Sequence, residues 1–152
     1  MKIDLACQLP CSMAQAAAQA RRPRLLHHVA HPLVRFRPQQ PQQLPDTWQE
    51  GCYEMRMYLF KLIPLGRQSI VISFPKYGGG FALRDNGHGS LVRRWDHLIT
   101  LTPNGAGTCC YRDQVTIEAG WLTGPVWLFA QLFYRHRQRR WRQLAARDFK
   151  GV

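Results

Sequence analysis

The sequence predicts an α+β fold. A strongly bent antiparallel β-sheet of six or seven strands wraps around a long C-terminal helix, and two short helices follow the first strand. Three observations carry this. Period-2 alternation recurs in one segment after another, each bounded by turn chemistry, which is the pattern of consecutive antiparallel hairpins. Residues 13–30 carry helix start and stop signals immediately after the first alternating segment. The last segment, 125–146, begins apolar almost all round with Val126, Trp127, Leu128, Phe129, Ala130, Leu132, Phe133 and Tyr134. A helix apolar on every side must be covered, so its first half is expected to be buried against a curved sheet.

Taken in order, Ile3, Leu5, Cys7 and Leu9 alternate with Lys2, Asp4, Ala6 and Gln8 as a half-buried strand, and Pro10 closes it. Ser12 is suited to cap an alanine-rich helix over 13–21. Pro23 opens a second helix through Ala30, and His31-Pro32 ends it because the residue before proline avoids the helical region. Leu33 to Arg37 reads as a strand, and the Pro/Gln stretch 38–45 as an exposed connection. Strands are then expected over 53–60, 68–74, 81–84, 91–101 and 109–118. The turns between them are Pro64-Leu65-Gly66, Gly78-Gly79-Gly80, Asp85-Asn86-Gly87-His88-Gly89 and Pro103-Asn104-Gly105-Ala106-Gly107. Gly124-Pro125 opens the closing helix, which runs to about Ala146.

At 152 residues the chain is expected to form one domain over 1–152. Its 45% apolar, 11% aromatic and 20% charged composition excludes disorder, collagen and coiled coil. Lys and Arg outnumber Asp and Glu by 21 to 9, a formal +12, which speaks to solubility and anionic partners rather than fold. The five cysteines show no CxxC spacing and read as reduced, partly buried thiols of a cytoplasmic protein. Cys7 follows no apolar run of the kind a lipoprotein signal needs, and no 18-residue apolar stretch occurs.

Strand alternation sorts side chains into two faces, and the more apolar face is expected inside. One face of 91–101 carries Trp95, His97, Ile99 and Leu101; one face of 109–117 carries Tyr111, Asp113, Val115 and Ile117. A three-residue loop at 104–106 would pair 103 with 107 and so place His97 directly opposite Asp113. Tyr53, Met55, Met57 and Leu59, together with Ile70, Ile72, Phe74, Phe81 and Leu83, share the inward face, and Asp85 continues that parity at a strand end. The expected ligand-contacting set is Tyr53, Met55, Met57, Phe74, Phe81, Trp95, His97, Tyr111 and Asp113 from the sheet, with Phe129, Phe133 and Arg137 from the helix. An apolar wall with a few polar groups is what a ligand pocket needs. Asp113 beside His97 is expected to raise the histidine pKa and fix its tautomer. Three roles are open to this pair: a polar bridge that fixes strand register, orientation of a ligand, or acid–base catalysis.

Other candidates are weaker. His27, His28 and His31 approach helical spacing, but no carboxylate or thiol nearby completes a metal site, so neither metal nor other cofactor is expected. The glycine runs lack the lysine and the strand-to-helix setting of a phosphate loop. Ser69, Ser73 and Ser90 stand in no nucleophile elbow. Arg135, Arg137, Arg139, Arg140 and Arg142 complement the helix dipole and cover apolar surface with their stems, or alternatively contact an anionic membrane or nucleic acid. Among them Arg137 lies near the apolar stripe and is placed to reach an inward acid. No aromatic-interleaved basic motif of an RNA-binding sheet is present.

The segments Leu91 to Leu101 with Trp95-Asp96-His97, Thr108 to Gly120, and Tyr134-Arg135-His136-Arg137-Gln138-Arg139-Arg140-Trp141 resemble the START-like, or SRPBCC, superfamily (polyketide cyclase/dehydrase-like), in the wording of a bacterial ligand-binding branch. The resemblance covers nearly the whole chain. It implies a helix-grip fold with a cavity between sheet and helix, in a superfamily whose members bind sterols, phospholipids, polyketides and hormones and of which only some are enzymes. The leading expectation is therefore non-catalytic binding of a hydrophobic or amphipathic molecule, lipid- or polyketide-like. The alternatives are a cyclase or dehydratase with His97 as general base and Asp113 as its orienting partner, and a basic module that binds anionic lipid or nucleic acid through the C-terminal helix.

Overall fold

In the computed structural model, which describes residues 1–152, seven strands form one antiparallel sheet. They are β1 (Lys2–Leu9), β2 (Val34–Gln40), β3 (Gly51–Leu59), β4 (Ile63–Ser73), β5 (Phe81–Gly89), β6 (Arg94–Pro103) and β7 (Cys109–Glu118). Their order is β1-β7-β6-β5-β4-β3-β2, so β2 to β7 run as consecutive antiparallel neighbours and the last strand, β7, comes back to pair with β1. Two short helices, α1 (Met13–Ala20) and α2 (Pro23–Ala30), follow β1, and the long helix α3 (Thr123–Ala145) closes the chain. α3 packs on β1, β7 and α2, while α1 covers β5, β6 and β7. This is the helix-grip arrangement.

Local chemistry accounts for the helices. The Gln15 amide donates to Ser12 Oγ at 3.1 Å and the Ser12 amide donates to Gln15 Oε1 at 3.0 Å, a reciprocal capping box that satisfies two otherwise orphan donors. Pro23 occupies the first turn of α2, where its missing N–H costs nothing.

Several boundaries and one register differ from expectation. β2 continues through Pro38 to Gln40, into the stretch read as a connection; Pro38 sits opposite Met55 on an edge strand, where proline is tolerated. β4 begins earlier, at Ile63, so the expected turn at 64–66 lies within it. β5 continues through Asp85–Gly89, also expected as a turn. The glycines there serve a close approach between strands: a Cβ on Gly87 would stand 2.5 Å from the Ser69 carbonyl oxygen, and one on Gly89 2.3 Å from that of Arg67. Between β6 and β7, Pro103 pairs with Cys109 and His97 with Val115, not with Asp113. The connection is five residues long, closed by the Thr108 carbonyl accepting from the Asn104 amide, and the register moves by two. A two-residue shift keeps every side chain on its face, so Asp113 stays on the His97 side as a diagonal neighbour.

The core falls into two apolar clusters. One gathers Leu9, Ala16, Ala20, Trp48, Tyr53, Met55, Leu101, Tyr111 and Trp141 beneath α1; the other gathers Ile3, Ala30, Val34, Val115, Ile117, Phe133 and Tyr134. The first half of α3 is not covered all round as expected: Leu128 and Leu132 are each 60% exposed, because sheet and α2 reach only one side of the helix. Cys52, expected partly buried, is exposed, whereas Cys11 and Cys109 are buried.

Candidate functional site

Strand alternation on β5, β6 and β7 turns Asp85, His97, Tyr111 and Asp113 towards α3, whose helical stripe answers with Phe133, Tyr134, Arg137, Gln138 and Trp141. Asp113, with 0% of its surface exposed, is the hub. Its Oδ1 lies 2.7 Å from His97 Nε2 and accepts from the Tyr111 hydroxyl at 2.7 Å, while Oδ2 accepts from Gln138 Nε2 at 3.1 Å. Gln138 Nε2 also donates to the Leu5 carbonyl at 2.8 Å, which ties β1 to the same cluster. Arg137 Nε donates to Tyr111 Oη at 3.1 Å and lies 3.7 Å from Asp113 Oδ1.

Burial alone would push the Asp113 carboxyl up, but the hydrogen bond from His97, the charge of Arg137 and the hydrogen bond from the Tyr111 hydroxyl together hold it below the ordinary value. His97 moves the other way from expectation. Desolvation lowers its pKa, and the hydrogen bond and charge of Asp113 only partly restore it. The imidazole is therefore neutral. Since a carboxylate can only accept, the proton sits on Nε2, and Nδ1 is left as an acceptor.

A cavity of about 340 Å3 lies between the first half of α3 and the sheet. Its wall is largely apolar: Leu26, Val34, Phe36, Met57, Leu59, Leu65, Ile70, Leu91, Val92, Trp95, Val126, Phe129 and Phe133. The polar groups are confined to Gln68, Asp85, His97, Tyr134 and Arg137. The Tyr134 hydroxyl accepts from Trp95 Nε1 at 3.0 Å. Asp85 Oδ1 accepts from the Val71 amide at 2.8 Å, in place of a ladder bond. Burial pushes the Asp85 carboxyl up to about 7, against that hydrogen bond and the Arg137 charge.

Of the twelve residues expected at a ligand, Met57, Trp95, His97, Phe129, Phe133 and Arg137 line this cavity. The other six do not. Tyr53 and Met55 are buried in the core, Tyr53 edge-on against Trp48 with ring centroids 4.8 Å apart. Phe74 and Phe81 face inward at the far end of the hollow, where the Arg21 guanidinium lies 4.6 and 5.0 Å from their ring centroids. Tyr111 and Asp113 stand behind His97 and Arg137. Parity gives the face of a side chain, but α1 decides which half of the hollow stays open. The residues missed are chiefly Gln68 and Tyr134. Gln68 begins the inward 68-70-72 alternation, and Tyr134 is one helical turn from Arg137.

Outside the cavity, Arg135, Arg139 and Arg142 are exposed on α3, and Arg140 Nη2 approaches His28 Nε2 at 3.0 Å. No group of three or more His, Cys, Asp or Glu side chains is placed to hold a metal, and no helix is long and apolar enough to cross a membrane.

Solved structures share the fold at low identity. The Zhui aromatase/cyclase from a Streptomyces species is 8% identical over 99% of this chain and 96% of its own, with a TM-score of 0.65. A START superfamily protein from Mycobacterium smegmatis is 8% identical over 96% and 97%, with a TM-score of 0.63. A truncated norcoclaurine synthase from Thalictrum flavum is 9% identical over 95% and 92%, with a TM-score of 0.62. At these identities the likeness establishes the START-like fold and nothing about substrates. No curated protein matches the sequence. The sequence profile of one family, described as a domain of unknown function, matches residues 8–145, and the chain belongs to that family, DUF8410.

Proposed function

We propose that the protein binds a hydrophobic or amphipathic small molecule in the cavity under α3 and does so without catalysis. The observation that carries the reading is the division of the cavity wall into an extensive apolar surface and one small polar pole. Apolar burial, at about 25 cal/mol per Å2, supplies affinity, and the pole supplies orientation. A volume of about 340 Å3 is at the small end for ligand sites, which favours a single chain or a compact ring system over a two-chain phospholipid. The START-like neighbours support a ligand-binding role, and those described as cyclase or synthase are enzymes in their own right. A cytoplasmic setting belongs to this reading, on the strength of five cysteines whose spacing matches no disulfide or metal motif.

The test is native mass spectrometry of the purified chain combined with titration by the neutral apolar dye Nile red. A co-purifying mass released by organic solvent, or saturable one-to-one dye binding, is expected. A chain that carries no extra mass and takes up no dye overturns the reading.

A further inference from the structure

Arg137 is 5% exposed, and its guanidinium is only half used. Nε is spent on the Tyr111 hydroxyl, but Nη1 and Nη2 make no hydrogen bond to the protein and border the cavity. Asp113 does not satisfy them. Its oxygens are taken by His97, Tyr111 and Gln138, and its approach is to Nε, at 3.7 Å. Four N–H donors on a buried cation thus face a space whose other walls are mostly apolar, and a guanidinium has no acceptor capacity to turn inward. A guest that fits this edge brings acceptors, and the planar fork matches a carboxylate.

Asp85 shares the pole. It is enclosed by the fold but keeps part of its surface open to the cavity, and it stands directly opposite His97 on the next strand. The ionisable groups around it are Arg137 and Tyr134 on α3 and His97 on β6, with Asp96 on β6 and Cys52 on β3 on the opposite face of the sheet, while Asp113 lies one strand further away on β7. Only Arg137 is cationic, and Asp113 already offsets its charge. A dianion such as a phosphate is opposed here. A monoanion is accommodated when Asp85 holds a proton and donates it as a hydrogen bond.

Resting on the cavity reading above, we propose that the ligand is an apolar carboxylic acid whose carboxylate seats against the Nη edge of Arg137, and that Asp85 is protonated as it binds. The proton comes from solvent, so binding is coupled to the uptake of one proton above neutral pH. Raising the pH through and beyond 7 then weakens acid binding by up to about tenfold per pH unit, because the Asp85 carboxylate repels the guest.

The experiment measures decanoate, 1-decanol and methyl decanoate by displacement of Nile red from the full chain at pH 6.5 and 8.5. Decanoate is expected to bind at least about tenfold more tightly than either neutral analogue at pH 6.5, a difference of about 1.4 kcal/mol, and to lose most of that advantage at pH 8.5. Arg137→Gln removes the preference for the acid. Because Arg137 also braces Tyr111, Asp85→Asn serves as the second variant and is expected to bind decanoate with the same affinity at both pH values. Neutral analogues that bind as well as decanoate overturn the carboxylate assignment while the cavity reading stands. An Asp85→Asn variant with the wild-type pH dependence overturns the role of Asp85. Dye binding that none of the three compounds displaces overturns the carboxylate assignment, and absence of dye binding removes the cavity reading with it.

Discussion

Asp85 and His97 are direct cross-strand partners on β5 and β6, and both side chains face the cavity under α3. The same burial drives their protonation in opposite senses, since it disfavours the charged form of each. The carboxyl is pushed up to about 7 and the imidazole is lowered from its ordinary value, so near pH 7 both approach neutrality.

For stability, the sign for Asp85 follows from proton counting. Between the ordinary carboxyl range and about 7, the folded chain holds a proton on Asp85 that the unfolded chain has lost. This group therefore lowers stability progressively as pH rises through that window. Asp85→Asn abolishes the effect. Chemical denaturation at pH 5 and pH 8 is expected to show the variant gaining on the wild type at pH 8 relative to pH 5. An equal difference at the two pH values would contradict the elevated pKa.

His97 makes the complementary case. Its folded-state pKa is lowered by burial, so stability from the neutral ring is present above the ordinary histidine range and is lost as pH falls through it. Nitrogen-15 NMR is expected to report a proton on Nε2, a bare Nδ1, and a titration midpoint below the ordinary 6.5. A midpoint above 6.5 would mean that the Asp113 charge, not desolvation, controls the ring.

Asp113 binds the cluster together, and its removal is expected to be severe. Asp113→Ala leaves Arg137 as an uncompensated buried charge and strips acceptors from His97, Tyr111 and Gln138. The expected loss is about 3–5 kcal/mol in urea unfolding. Asp113→Asn keeps the volume and one acceptor, so it is expected to cost less. Equal losses for the two would show that the charge, which both substitutions remove, governs the site and that packing volume contributes little.

Much of this cluster is legible in the sequence alone. Alternation alone puts His97 and Asp113 on one face, and the difference between the expected pairing of 103 with 107 and the observed pairing of Pro103 with Cys109 leaves that face unchanged, because a shift of two preserves parity. The helical stripe likewise singled out Arg137 as able to reach an inward acid. What resisted reading was tertiary. Asp85-Asn86-Gly87-His88-Gly89 carries turn residues, yet its glycines are there because the β4 backbone comes within van der Waals distance. Phe74 and Phe81 face inward as expected but lie where Arg21 and α1 fill the hollow, and no periodicity in β4 or β5 records where α1 will dock.

The same glycine gives a further test. A Cβ on Gly87 would meet the Ser69 carbonyl at 2.5 Å and Asp85 Oδ1 at 3.0 Å. The backbone contact cannot yield without parting β4 from β5, so Gly87→Ala is expected to cost about 1–3 kcal/mol. Because it also displaces Asp85, the pH dependence of stability should change with it. Gly79→Ala, at a position with open space around it, meets no such wall and strains only its own backbone.

The division of the hollow into a filled and an open half can be tested by a contrasting pair of substitutions. Leu65 lines the cavity and is partly exposed, so Leu65→Trp can place its added ring in empty volume. It is expected to abolish Nile red binding with less than about 1.5 kcal/mol of change in stability, since filling a void avoids the strain of overpacking a dense core. Phe74 lies outside the cavity lining and stacks under the Arg21 guanidinium at 4.6 Å. Phe74→Ala forfeits that cation–π contact and the partial burial of the ring, for an expected loss of about 1–2 kcal/mol, but it leaves dye binding intact. The two measurements respond in opposite ways because the phenyl ring contributes to the scaffold while the leucine borders free volume. Loss of dye binding in Phe74→Ala at a temperature where the variant is folded would extend the site to the α1 end, and the larger set read from strand parity would then describe the ligand better than the cavity wall does.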